Sequence, residues 1–256
     1  MKKKCSVLFV VPLVLTILLL DCGGGGGGGS TPAPNPIALK TSTIRNLQSG
    51  DTWNFSGSGT YSSDGSTVNI SASGSETILS STKQDPITST NCLDSFLTLS
   101  LSGPSGIPAS ISFHGYEFQD STGTIYECGE NDGSGDIWVS AASGGYFVSS
   151  QSPMATNQSY GNSVTYTDGS TATITEHVIG TENVNTNAGY YEAYKILENA
   201  TVNYNDGTSA VESNTIWFVP GLGMVKETLN VKYYTGSTIT GSLTLTIVLA
   251  STSVAY

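Results

Sequence analysis

Between Val225 and Leu249 lie two runs in which apolar and polar residues alternate, a period of two that restricts this stretch to a sheet with one dry and one wet face. Val225, Leu229, Val231 and Tyr233 point one way, and Lys226, Thr228, Asn230 and Lys232 the other. Leu243, Leu245, Ile247 and Leu249 then alternate with Ser242, Thr244 and Thr246, and a connection around Gly236 predicts a long closing hairpin. Upstream, Ser63-Asp64-Gly65-Ser66, Thr167-Asp168-Gly169-Ser170 and Asn205-Asp206-Gly207-Thr208 set Asp-Gly pairs between β-prone runs. Asp-Gly suits a type I′ turn, whose two central residues both need positive φ, so three antiparallel hairpins are expected.

Only 11% of residues are charged, while Ser, Thr, Asn, Gly and 13 Tyr are plentiful. That usage suits half-buried pleated surfaces and leaves few helix-forming pairs. The expected fold is all-β, with mostly antiparallel sheets in two similar halves that form an unclosed barrel or a sandwich, preceded by an N-terminal signal helix. The halves follow from a faint repeat. Gly50-Asp51-Thr52-Trp53-Asn54-Phe55 recurs as Gly161-Asn162-Ser163-Val164-Thr165-Tyr166, and Gly74-Ser75-Glu76-Thr77-Ile78 as Gly180-Thr181-Glu182-Asn183-Val184. Gly123-Thr124-Ile125-Tyr126-Glu127 stands against Gly223-Met224-Val225-Lys226-Glu227. Chance is the competing explanation, because any β protein has turns every 8 to 12 residues.

The start of the chain is an export signal. Lys2, Lys3 and Lys4 precede an apolar run, Val7 to Leu20, of about 14 residues, short of the roughly 20 that span a bilayer. Leu19-Leu20-Asp21-Cys22 resembles the lipobox of bacterial lipoproteins, with Asp21 where that family has a small residue. The resemblance implies acylation of Cys22 and a membrane partner reached through the acyl anchor. The expected organisation is a signal peptide over 1–21, a lipidated cysteine and Gly/Pro-rich tether over 22–40, and β halves over 41–150 and 151–256. Gly23 after the cysteine points to the outer membrane. Without Lys2, Lys3, Lys4 and Asp21 the mature chain keeps 6 basic and 19 acidic residues, a surface that excludes nucleic acid as a partner.

Once Cys5 and Cys22 are set aside, Cys92 and Cys128 remain, and an oxidising compartment favours a disulfide between them. A metal or redox pair is the alternative, but their spacing is not CxxC and only His114 lies nearby. His114 and His177 read as exposed strand residues, and no GxSxG, HExxH or P-loop occurs. Glu127, Glu130, Asp132 and Asp136 crowd a glycine-rich stretch, a weak calcium candidate. EF-hand spacing fails there, and a solvated loop is the plainer reading. No cofactor, catalytic residue or other metal site is indicated.

Three segments in the second half carry a further resemblance. Gly180-Thr181-Glu182, Thr186-Asn187-Ala188-Gly189-Tyr190-Tyr191-Glu192-Ala193-Tyr194-Lys195 and Trp217-Phe218-Val219-Pro220-Gly221-Leu222-Gly223-Met224-Val225-Lys226 resemble a broad group of bacterial envelope proteins of unknown function. These carry G-x-E, T-P-A-G-x-[FY]-x-x-x-K and W-[YF]-x-P-G-[VL]-G-x-V-K in that order, and look related to the unclosed β-barrels of periplasmic lipoprotein carriers. The resemblance implies a non-catalytic envelope lipoprotein with a curved sheet that binds a hydrophobic small molecule on its concave face. A surface adhesion module is the alternative, and an envelope hydrolase a distant third. On residues alone, Pro220-Gly221 is a turn pair and Trp217 packs beneath it.

Overall fold

A computed structural model describes residues 35–103 and 110–256; the signal, Cys22 and most of the tether lie outside them. The described chain is thirteen strands and one short 3-10 turn, Ala141–Ser143. The first half supplies β1 (Thr52–Ser63), β2 (Ser66–Gln84), β3 (Asn91–Ser102), β4 (Ser110–Gln119), β5 (Ile125–Asn131), β6 (Asp136–Trp138) and β7 (Phe147–Ser150). The second supplies β8 (Ser159–Thr165), β9 (Thr171–Thr186), β10 (Gly189–Asn203), β11 (Thr208–Val219), β12 (Gly223–Thr235) and β13 (Thr238–Thr252). No helix of the described residues is long and apolar enough to cross a membrane.

All of these strands join one antiparallel sheet in the order β6-β5-β4-β3-β2-β1-β13-β12-β11-β10-β9-β8, with β7 beside β5. The two halves are therefore successive runs of a single sheet, joined where β1 pairs with β13. The sheet curls but does not close through a ladder. Its two ends meet at one bridge, Val139 with Tyr166, flanked by hydrogen bonds from Ser140 N to Thr165 O and from Thr167 N to Trp138 O, each 2.8 Å. The strand order also repeats: the Asp-Gly turns join β1 to β2 and β8 to β9, and Glu127 and Glu227 lie on the fifth strand of their runs.

All three hairpins form, but only the first has the expected turn. Asp64 and Gly65 both take positive φ (50° and 75°). At the other two, only Gly169 and Gly207 do, because the preceding aspartate accepts a hydrogen bond from the backbone two residues on. Ser170 N donates to Asp168 Oδ1 (2.8 Å) and Thr208 N to Asp206 Oδ1 (2.9 Å), an arrangement that keeps the aspartate at negative φ.

Leu229, Val231, Leu243, Leu245 and Ile247 point inward as their alternation requires, and each is at least 95% buried. They pack within the curled sheet rather than against a second one. The concave face they form is filled and not an open apolar trough. Close approach of β1 to β13 depends on Gly59, where a Cβ would run into the Thr244 carbonyl. One end of the curl is crossed by the segment before β1. Ile37 bridges Tyr191, Arg45 N donates to Pro220 O (2.8 Å), and Ile44 enters the core.

Candidate functional site

The turn between β11 and β12 folds back over the ends of β1 and β2 and leaves a cavity beneath it. Alternation along β11 sends Phe218 inward and Trp217 outward, and β12 returns Met224 opposite Phe218. Gly223 has φ +114°, and a Cβ there would meet Trp53 Nε1 at 2.8 Å, so only glycine lets the turn close on that indole. Trp53 in turn donates from Nε1 to Leu222 O (2.6 Å). Phe55, Ile78, Ile125 and the segment Ile44–Leu47 complete the wall. About 30 Å³ is open to the centres of water-sized groups, room for about two of them.

Two carboxyls face this apolar space. Glu76 lies on β2 in phase with Ile70, Ala72 and Ile78, and so points inward with only 8% of its surface exposed. Glu117 on β4 lies opposite Glu127 of β5, where a bulge shifts the register, and keeps more surface at the cavity. Neither carboxyl has a hydrogen-bond or ion-pair partner among the described residues. Burial, and then the charge of Glu117, push Glu76 well above the usual carboxylate range; burial pushes Glu117 up to about 7. Arg45, also in the wall, is ion-paired with Asp51.

These acids begin a larger buried set. Glu127, Glu130, Glu176, Glu198, Glu212 and Glu227 are also buried, and none takes part in an ion pair among the described residues. Cross-strand register sets Tyr160, Glu176, Glu198 and Asn214 in one row over β8 to β11. Asn214 Nδ2 donates to Glu198 Oε1 (2.8 Å) and Glu212 Oε2 (3.2 Å), so one amide serves two carboxyls. Glu198 Oε2, Glu212 Oε1 and both oxygens of Glu227 are sealed without a partner. Burial is the main cause that lifts Glu130 and Glu176 to about 8 and Glu212 to about 7. Glu198 and Glu227 occupy the apolar phase of their strands, Glu198 with Ile196 and Ala200 and Glu227 with Leu229 and Val231, whereas Glu127 and Glu130 are both buried because the bulge between them shifts the phase of β5. That pattern is readable in the sequence, and the expectations above overlooked it.

The residues of the quoted motifs gather on the outer face. Lys195 Nζ meets Glu182 Oε2 at 2.6 Å and lies 5.2 Å from the Trp217 ring centre; Lys226 Nζ lies over the same ring at 4.1 Å. The indole is thus covered by two lysine stems rather than by the turn. The motif therefore builds both faces of one strand end, with Trp217 clasped outside and Phe218, Leu222 and Met224 against the cavity.

The weak calcium candidates do not converge. Glu127 and Glu130 point into the interior, Asp132 caps its own loop through Ser134 N (2.8 Å), and Asp136 binds Lys83 (2.9 Å). Burial opposes ionisation of Asp136, but hydrogen bonds from Tyr116, Lys83 and Asn131 hold it at about 2. Among the described residues no three metal-ligating side chains meet. Cys92 and Cys128 are joined, with Cα atoms 6.8 Å apart, linking β3 to β5 across β4 beside the stacked Tyr116 and Trp138. His114 is not simply exposed: its Nδ1 lies 2.6 Å from the buried carboxylate of Asp94. His177 bonds Ser159 through Nδ1 (2.7 Å). An acid–histidine pair and a serine–histidine pair thus occur on different strands and share no atom.

Residues 145–238 match the DUF3108-like family. The matched stretch holds all three motif segments. No curated protein matches the chain. Two solved structures are similar to it. A candidate lipoprotein of Parabacteroides distasonis has 13% identity and a TM-score of 0.42, over 84% of this chain and 99% of that one. A candidate exported protein of Bacteroides fragilis, described as having a YmcC-like fold, has 12% identity and a TM-score of 0.34, over 83% and 99%.

Proposed function

We propose that this chain is an exported, lipid-anchored protein of the bacterial envelope that holds a small, partly apolar guest without transforming it, in the cavity beneath the Pro220–Leu222 turn. The observation that carries the reading is an aromatic-walled space faced by two unpartnered carboxyls, the buried Glu76 and the partly exposed Glu117. A pocket lined mostly by apolar side chains with a few converging polar groups is the usual form of a small-molecule site. The basic tip, the short apolar run, the lipobox-like Leu19-Leu20-Asp21-Cys22 and the Cys92–Cys128 disulfide support export, and Cys22 followed by Gly23 supports an outer-membrane anchor. The guest is small, because the leucine-lined interior is filled.

Methyl-labelled protein titrated with 1-butanol tests the site. Saturable shifts confined to Ile78, Ile125, Leu222 and Met224 are expected; shifts scattered over the outer faces, or none, would refute it. Intact mass of the mature protein tests the anchor. A diacylated or triacylated chain starting at Cys22 is expected, and an unmodified chain starting beyond Cys22 would remove the anchor from the account.

A further inference from the structure

We infer that the guest is an organic ammonium ion, its cationic head and first carbon seated in the space that Glu76 and Glu117 face and the rest of its short chain directed to the mouth. The inference rests on the cavity being a binding site at all, and adds the chemistry of what enters it. Glu76 is 92% buried in surface terms, faces the space, and lacks any partner among the described residues. A buried carboxyl without a protein partner is costly, and in a space of this size the group that satisfies it is a water, a proton or a cation. The remaining cation of the wall, Arg45, is already committed to Asp51, so the cavity keeps an uncompensated acidic pair.

The walls distinguish among cations. Two carboxyls are far from the six to eight oxygens that calcium takes, whereas an aromatic lining of Trp53, Phe55 and Phe218 suits an alkylated ammonium. Size agrees as well. Space for about two water-sized groups accommodates an ammonium and its first carbon, with the rest of a short chain directed to the mouth. An anionic amphiphile would meet two acids and one neutralised arginine, which is the wrong complement.

Calorimetric titration of the mature protein at pH 8 with n-butylammonium, 1-butanol and butyrate separates this inference from the reading beneath it. The ammonium should bind at least about tenfold more tightly than the alcohol, an opposite charge in a desolvated site adding about 1.4 kcal/mol or more, and butyrate should not bind. Glu76→Gln and Glu117→Gln, which keep shape and cannot ionise, should each reduce that preference to under about threefold. Equal or tighter binding of the alcohol, or an ammonium preference that survives both substitutions, would overturn the ammonium assignment and leave the cavity as an apolar site. No binding of any of the three would overturn the site itself.

Discussion

Glu212→Gln should make the protein more stable, and increasingly so as pH rises. Glu212 is 98% buried in surface terms, shares the amide of Asn214 with Glu198, and has one carboxyl oxygen without a partner. Burial moves its titration from the ordinary 4.5 to about 7. The folded state then holds a proton that the unfolded state releases, so its contribution is complete below about pH 4.5 and is lost as pH climbs through about 7. Between those limits the loss is about 3 kcal/mol, at 1.36 kcal/mol for each pH unit between the two values. The glutamine keeps an oxygen for Asn214 and cannot ionise. Relative to the parent, the variant should gain about 1 kcal/mol at pH 5 and about 3 kcal/mol at pH 8.5. Urea unfolding at both pH values, with the disulfide intact, measures the difference. A gain that is the same at both pH values, or a loss at pH 8.5, would refute the claim that a buried carboxyl without a counter-ion is being held against its ionisation.

Reduction of Cys92–Cys128, which closes a separation of 36 residues, should cost about 4 kcal/mol on the chain-entropy estimate, read as a lower urea midpoint; an unchanged midpoint would contradict it. Gly223→Ala forces a side chain into positive φ and against Trp53, and should cost about 1–3 kcal/mol; a neutral result would show that the turn does not need its present path. Lys226→Ala should uncover Trp217, shift its fluorescence to the red and cost about 1 kcal/mol, with Lys226→Met restoring the cover and most of the stability; an unshifted emission spectrum would show that Lys226 does not shield the indole.

Much of the architecture was legible because sheet physics writes directly into residue order. Alternation from Val225 to Leu249 located β12 and β13, and the three Asp-Gly pairs located three hairpins. The turn types at Asp168 and Asp206 were less accessible, since they depend on whether the aspartate side chain bonds back to the backbone. The choice between sandwich and curled sheet lay beyond local pattern, because it depends on how strand ends far apart in the chain, such as Trp53 and Thr252, come to pair. Buried acids such as Glu176, Glu198, Glu212 and Glu227 stood in plain view, in the apolar phase of their strands. What no local pattern carries is their convergence. Glu76, Glu117 and Phe218 meet only after β1, β2, β4 and β11 have been laid side by side and the segment before β1 has crossed their ends.

A crystal structure grown with 4-bromo-1-butanol at saturating concentration tests the cavity most directly, because bromine marks the guest by its anomalous scattering. The account expects a strong peak at the mouth of the space beneath the Pro220–Leu222 turn, with the hydroxyl turned inward toward Glu76 and Glu117. Bromine found only on the outer faces, with the space beneath the Pro220–Leu222 turn unaltered, would contradict it.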